Sequence, residues 1–190
     1  MADSSGNEQE VLRQIAKGNE QAFAAVYERY QGPVYRFVLH MSGNSATAEE
    51  VTQEVFMTLI TNSKSYDPAK GSLAAYMFGI ARNLTRRCIA DSRLDLPLDE
   101  HLLGVEDHEP ATSLDIVAEL SNADMLECLR NAVLALPESY REVVVLCELQ
   151  ELNYDSAAEL LGCPAGTVAS RLHRARAMLR TKLKCLQCVK

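Results

Sequence analysis

The sequence has no tryptophan, and no part of it approaches the roughly 18 consecutive apolar residues that a membrane-crossing helix needs. Its start, Met1-Ala2-Asp3-Ser4-Ser5-Gly6-Asn7-Glu8, has neither the basic opening nor the apolar stretch of a signal peptide. A cytoplasmic location without direct membrane insertion is expected. Gly-x-x-x-x-Gly-Lys-Ser/Thr is missing, so a phosphate-loop nucleotide hydrolase is excluded. No nucleophile–base spacing and no recurrent histidine or carboxylate metal pattern is present, so the expectation is a protein without catalytic residues, cofactor or resident metal. Strand signals, internal repeats and low-complexity tracts are also absent, which leaves an all-α fold. Acidic side chains are also missing from the last thirty residues, which carry seven lysines and arginines.

That local absence matters because the whole chain is acidic, with a formal charge of -7 over 190 residues. A positive field concentrated at one end of an acidic protein suggests a local grip on a polyanion. Charge divides the chain further. Residues 1–94 hold ten acids and ten bases, residues 95–120 hold eight acids and no base, and residues 121–190 hold eight acids and nine bases. The middle stretch also has two of the six prolines and no helical period, so it is expected to be an extended anionic linker between two small helical domains.

Apolar periodicity places the helices. Residues 8–16 put Val11, Leu12 and Ile15 on one face. Asn19 follows Gly18 and can cap a helix carrying Phe23, Val26, Tyr27 and Tyr30. Gly32-Pro33 is expected to interrupt it before Val34, Phe37, Val38 and Met41 resume the period. Thr47 and Glu50 have capping-box spacing for a helix over 48–60, with Val51, Val55, Phe56, Leu59 and Ile60 inward. Pro68 and Gly71 make 66–71 a loop, and Ser72 caps a long helix to about residue 90. Beyond the linker, a helix from Ser121 or Asn122 turns Met125, Leu129, Val133 and Leu136 inward and ends at Pro137. A second helix spans 138–149, a short third covers 153–161, and a last one runs from about 165 to 184. Cys128 and Cys147 fall at apolar positions and are expected to be buried thiols. Cys185-Leu186-Gln187-Cys188 has the spacing of a metal or redox pair, with no second pair to complete it.

The last two helices read as a helix-turn-helix. Ala157 and Ala158 are small enough for a close crossing, Gly162-Cys163-Pro164 makes the turn, and Val168 and Leu172 would pack back on Leu160 and Leu161. Thr167, Ala169, Ser170, Arg171, His173 and Arg174 remain for solvent or DNA. Arg171, Arg174 and Arg176 can form bidentate bonds to phosphate or to a guanine edge. Arg180, Lys182 and Lys184 lie further along and would add nonspecific attraction. His173 has no histidine or cysteine one turn away, so it reads as a phosphate-side residue and not a metal ligand. In the first half, Arg82, Arg86 and Arg87 form a basic stripe suited to a single strand's phosphates. Glu49, Glu50 and Glu54 form an acidic cluster suited to a basic partner.

Together these motifs resemble the extracytoplasmic-function sigma factors, small two-domain initiation subunits of bacterial RNA polymerase. The resemblance rests on Ala22-Phe23 with Tyr27 and Tyr30, on the run from Ala48 to Phe56, and on Ile80-Ala81-Arg82-Asn83. It continues through Leu136-Pro137 with Tyr140-Arg141-Glu142-Val143 and the run from Gly166 to Arg176. It implies core RNA polymerase, promoter DNA and an anti-sigma factor, often membrane-bound, as partners. Glu50, Gln53, Glu54 and Phe56 would belong to the polymerase-docking helix. The loop from Ser65 to Ser72, with Tyr66, Lys70, Ser72 and Tyr76, would hold a flipped minus-ten base. Arg82, Asn83, Arg86 and Arg87 would lie near the non-template strand. Thr167, Ser170, Arg171, His173, Arg174 and Arg176 would serve the minus-35 duplex. Tyr76 stands where many relatives carry tryptophan, and Ala169 where a lysine is frequent, which removes one phosphate contact. Two other readings stay open on the residues alone: a stand-alone helix-turn-helix regulator, and a metal- or redox-responsive one using Cys185 and Cys188.

Overall fold

A computed structural model describes residues 4–94 and 122–187, as eight helices and their turns, all-α throughout. The expected linker at 95–120 and Cys188 lie outside the described residues, as does the side chain of Cys185.

The N-terminal group comprises α1 (Ser4–Ala16), α2 (Glu20–Ser42), α3 (Ser45–Asn62) and α4 (Leu73–Leu94). Asn19 caps α2 as its sequence position predicts, accepting the Ala22 N–H at 3.1 Å. Pro33 does not interrupt that helix, which runs unbroken through it. A proline inside a helix costs about 3 kcal/mol. Val26, Val34, Phe37, Val38 and Met41 form one buried stripe on both sides of Pro33. At about 1.5–3 kcal/mol for each buried apolar side chain, a continuous helix wins.

Thr47 is not the cap of α3. Asn44 is, with its side-chain oxygen accepting the Thr47 N–H at 3.0 Å, so no Thr47–Glu50 capping box forms. An amide one turn earlier captures the same donor and lengthens the helix. Ile60 also departs from expectation and is 40% exposed, while Val51, Val55, Phe56 and Leu59 are buried.

The C-terminal group comprises α5 (Asn122–Leu134), α6 (Glu138–Val144), α7 (Tyr154–Leu161) and α8 (Ala165–Gln187). The helix expected over 138–149 changes character midway. Val145–Leu149 is a π-helical turn, with the Gln150 N–H reaching the Val145 carbonyl. Leu129, expected inward, is 38% exposed. Cys128 and Cys147 are only partly buried. For Cys128 and Leu129 the cause is packing: α5 lies against α2, α6 and α8, and among the described residues of this stretch only Ala132, Val133 and the following Leu136 are sealed there.

The two groups share a core. Buried Val34, Phe37 and Phe78 belong to the same apolar cluster as Val143, Val144, Val145 and Leu146. Arg141 stitches the groups together, donating to the Met41 carbonyl of α2 at 2.7 Å and to the Leu134 and Leu136 carbonyls of its own group. None of the described helices is long and apolar enough to cross a membrane.

Candidate nucleic-acid and polymerase interface

The turn between α7 and α8 depends on Gly162, which has φ 65° and ψ 37° and donates its N–H to the Ala158 and Glu159 carbonyls. Glycine fills this left-handed position without steric cost. Ala157, Ala158, Val168, Leu172 and Ala175 are buried at the crossing. Their spacing along α8 turns Ser170, His173 and Arg174 to solvent and leaves Thr167 and Arg171 half-buried. Ser170 Oγ donates to the Thr167 carbonyl at 3.0 Å. Arg171 and Arg174 have no carboxylate partner among the described residues. Arg176 differs: it is ion-paired with Glu148 on the π-helical turn, and the hydrogen bond to that carboxylate pushes its pKa up.

A second surface is built by the chain between α3 and α4. Two short 3-10 turns, Ser63–Ser65 and Pro68–Lys70, carry it. Asp67 accepts the Ala69 N–H at 3.0 Å, and Ser72 Oγ accepts the Ala75 N–H at 3.3 Å to cap α4. Gly71 takes φ 133°, which a side chain would resist. Tyr66 is buried and its ring meets Tyr76 edge-on with centroids 5.6 Å apart. Its hydroxyl donates toward Glu8 Oε2 at 2.9 Å and lies 3.1 Å from the Gly71 carbonyl. Burial first, and then the bond to Glu8, push the Tyr66 pKa up.

Lys70, Ser72, Tyr76 and Asn83 line an open groove of about 310 Å³. Its far wall is Ser156, Glu159 and Leu160 of α7. The basic stripe beside it is engaged. Arg82 Nε donates to Glu142 Oε1 at 2.5 Å, Arg86 pairs with Glu138 at 3.0 Å, and Arg87 lies 3.8 Å from Glu54.

On α3, Glu50 and Gln53 are exposed and Glu54 is half-exposed. Phe56 is only 3% exposed and packs against Tyr27 and Phe23, with centroids 4.8 and 6.1 Å away. It therefore supports the helix from behind. Sequence reasoning missed Met57, which is 60% exposed on the same helix as the partly outward Ile60. The signal was available: position 57 falls out of step with the inward Val51, Val55 and Leu59. It also missed Glu8, Glu138 and Glu142, whose partners lie far away in sequence. No cluster of three or more potential metal ligands is found among the described residues. Burial pushes the Cys88 and Cys147 thiols up, away from reactive thiolate.

The arrangement is one of recognition surfaces, and comparison with known proteins agrees. Residues 26–94 match the family described as sigma-70 region 2, and residues 126–179 match sigma-70 region 4. The chain is 31% identical to the ECF RNA polymerase sigma factor SigW of Bacillus subtilis, over 92% of this chain and 96% of that one. It is 30% identical to the ECF RNA polymerase sigma-E factor of Escherichia coli strain K12, over 94% and 95%. Its fold resembles CnrH, solved in complex with the cytosolic domain of CnrY, with a TM-score of 0.69 at 21% identity, covering 94% of this chain and 97% of that one. It also resembles RpoE, solved with the anti-sigma factor NepR from Bartonella quintana, with a TM-score of 0.66 at 24% identity, covering 85% and 96%. On these grounds the chain belongs to the extracytoplasmic-function family of RNA polymerase sigma factors.

Proposed function

We propose that this chain joins core RNA polymerase through α3 and reads a promoter at two places, residues 1–94 at minus 10 and residues 121–190 at minus 35, with 95–120 between them. A sigma factor is not an enzyme; it supplies binding energy and register in the cytoplasm, where polymerase and chromosome meet. On α3, Glu50, Gln53 and Glu54 offer an acidic, hydrogen-bonding face to a basic partner, held in place by Phe56. Exposed Met57 and Ile60 add apolar area to that helix.

The observation that carries the minus-35 reading is the state of the arginines. Arg82, Arg86, Arg87 and Arg176 are ion-paired, whereas Arg171 and Arg174 stand without a carboxylate partner among the described residues. Guanidinium groups without a carboxylate partner suit phosphates and guanine edges. Thr167, Ser170 and His173 flank them on the same helix.

The minus-ten reading requires a rearrangement. Glu138 and Glu142 occupy Arg86 and Arg82, and α7 walls the groove beside Tyr76 and Asn83. A DNA strand entering there replaces these carboxylates with phosphates as the two helical groups part. Extruding a base into the groove costs a few kcal/mol, offset by contacts with Tyr66, Lys70, Ser72 and Tyr76. An anti-sigma factor, often membrane-bound in this family, is the expected restraint. The apolar groove between α2, α5 and α8, lined by Leu39, Leu126, Leu129 and Leu179, is a surface for its helix.

The test is transcription from genomic fragments by core polymerase with and without the purified chain. Promoter-dependent transcripts, lost in Arg171→Ala/Arg174→Ala, support the reading. No transcript from any fragment overturns it.

A further inference from the structure

The groove between α3 and α4 is held by a residue outside the segment that matches sigma-70 region 2, which begins at residue 26. Glu8, on α1, places one carboxylate oxygen, Oε2, 2.9 Å from the Tyr66 hydroxyl and 2.9 Å from the Leu73 N–H. Tyr66 precedes the loop 67–72 and Leu73 follows it, so a single oxygen ties both ends. Both anchor points are sealed, Tyr66 being 7% exposed and Leu73 2%. The two bonds also answer needs of the fold. Leu73 begins α4, where N–H groups lack intrahelical partners and negative charge is favoured. A buried phenol requires an acceptor.

The consequence reaches the groove through ring packing. Tyr66 meets Tyr76 edge-on, and Tyr76 lines the groove with Ser72 and Lys70. Moving Tyr66 moves the ring on which a base would stack. We propose that Glu8 is a positioning residue for single-strand recognition. Its carboxylate fixes the separation of Tyr66 and Leu73, so the α3–α4 wall of the groove is formed before DNA arrives and affinity is not lost to ordering that wall. This role rests on the reading of the 66–73 loop as the minus-ten strand site.

The experiment uses full-length protein assembled with core polymerase. The probe is a fluorescent single-stranded oligonucleotide carrying the non-template minus-ten segment of a promoter that this holoenzyme transcribes. Glu8→Ala is expected to weaken oligonucleotide binding about tenfold, the loss that follows from removing a charge-assisted hydrogen bond. Affinity for core polymerase and for minus-35 duplex stays unchanged. Glu8→Gln keeps an acceptor oxygen for both donors and is expected within about threefold of wild type. A readout independent of DNA is hydrogen exchange in the isolated protein. The Leu73 N–H exchanges faster in Glu8→Ala and stays near wild type in Glu8→Gln.

Unchanged oligonucleotide binding in Glu8→Ala overturns the proposal, as does a Glu8→Gln variant as impaired as Glu8→Ala. A wild-type holoenzyme that ignores the oligonucleotide overturns the minus-ten reading itself, which is a distinct result. If Glu8→Ala does not fold, Tyr66→Phe removes one of the two bonds while keeping the ring. It should lose binding about threefold, and no loss counts against the proposal.

Discussion

Arg82 of α4 and Glu142 of α6 form a bidentate ion pair across the two helical groups, with Nε–Oε1 at 2.5 Å and the second bond at 3.4 Å. The side chains are 15% and 6% exposed, so water screens the pair weakly. Removing one partner of a buried pair typically costs about 3–5 kcal/mol, because the other charge is left unmatched. Glu142→Ala and Arg82→Ala should each destabilise the chain toward the lower end of that range, about 3 kcal/mol. The double variant should lose much less than the sum. Urea denaturation of the four proteins measures the coupling, and simple additivity would show that the pair is not coupled.

The exposed face of α8 predicts a salt signature. If Arg171 and Arg174 each neutralise one phosphate, replacing both with alanine lowers the slope of log affinity against log salt by about 1.8. Binding to minus-35 duplex then weakens most at low salt. A loss confined to one base pair, with the slope intact, would instead assign these side chains to base edges.

Tyr66 predicts a pH dependence. Its folded pKa is raised by burial and by Glu8, while in the unfolded chain it ionises near the ordinary value of about 10. Above that pH the unfolded state binds fewer protons than the folded one, so stability falls as pH rises. The contribution is fully present below pH about 10 and is lost as pH climbs toward the folded value. Tyr66→Phe abolishes this component. The stability advantage of wild type over Tyr66→Phe should therefore shrink between pH 8 and pH 11 in denaturant titrations, and a gap that stays constant would contradict the assignment.

The cap of α3 is a smaller test. Asn44→Ala should cost about 1 kcal/mol, since it orphans the Thr47 N–H. Thr47→Ala should cost less, because the Thr47 side chain caps nothing. Thermal denaturation of the two variants separates them, and equal losses would favour the capping box that the sequence suggests.

Much of this molecule is legible in one dimension because the relevant forces act over short separations. A 3.6-residue period places α1, α3, α4, α7 and α8 on the sequence to within a few residues, and Gly162 marks its turn because few other residues tolerate that backbone. Asn19 announces its cap because the donor is three residues away. The same local rules fail at Pro33 and Thr47. At Pro33 the burial of α2's own apolar stripe against other helices outweighs a local penalty, and at Thr47 a better acceptor sits one turn earlier.

The candidate recognition face of α8 was also readable, since it depends on which positions of one helix are left over after packing. The engagement of Arg82, Arg86 and Arg176 was not. Each partner lies on an element remote in sequence, as does the Glu8 carboxylate 58 residues from Tyr66.

The helical class, the acidic stretch between the two helical groups and the cationic end follow from the order of residues alone, because periodicity and charge are properties of neighbours along the chain. Which cations meet carboxylates and which face outward is set by folding in three dimensions. Coulomb energy depends on distance and burial, and both are set by how the helices pack.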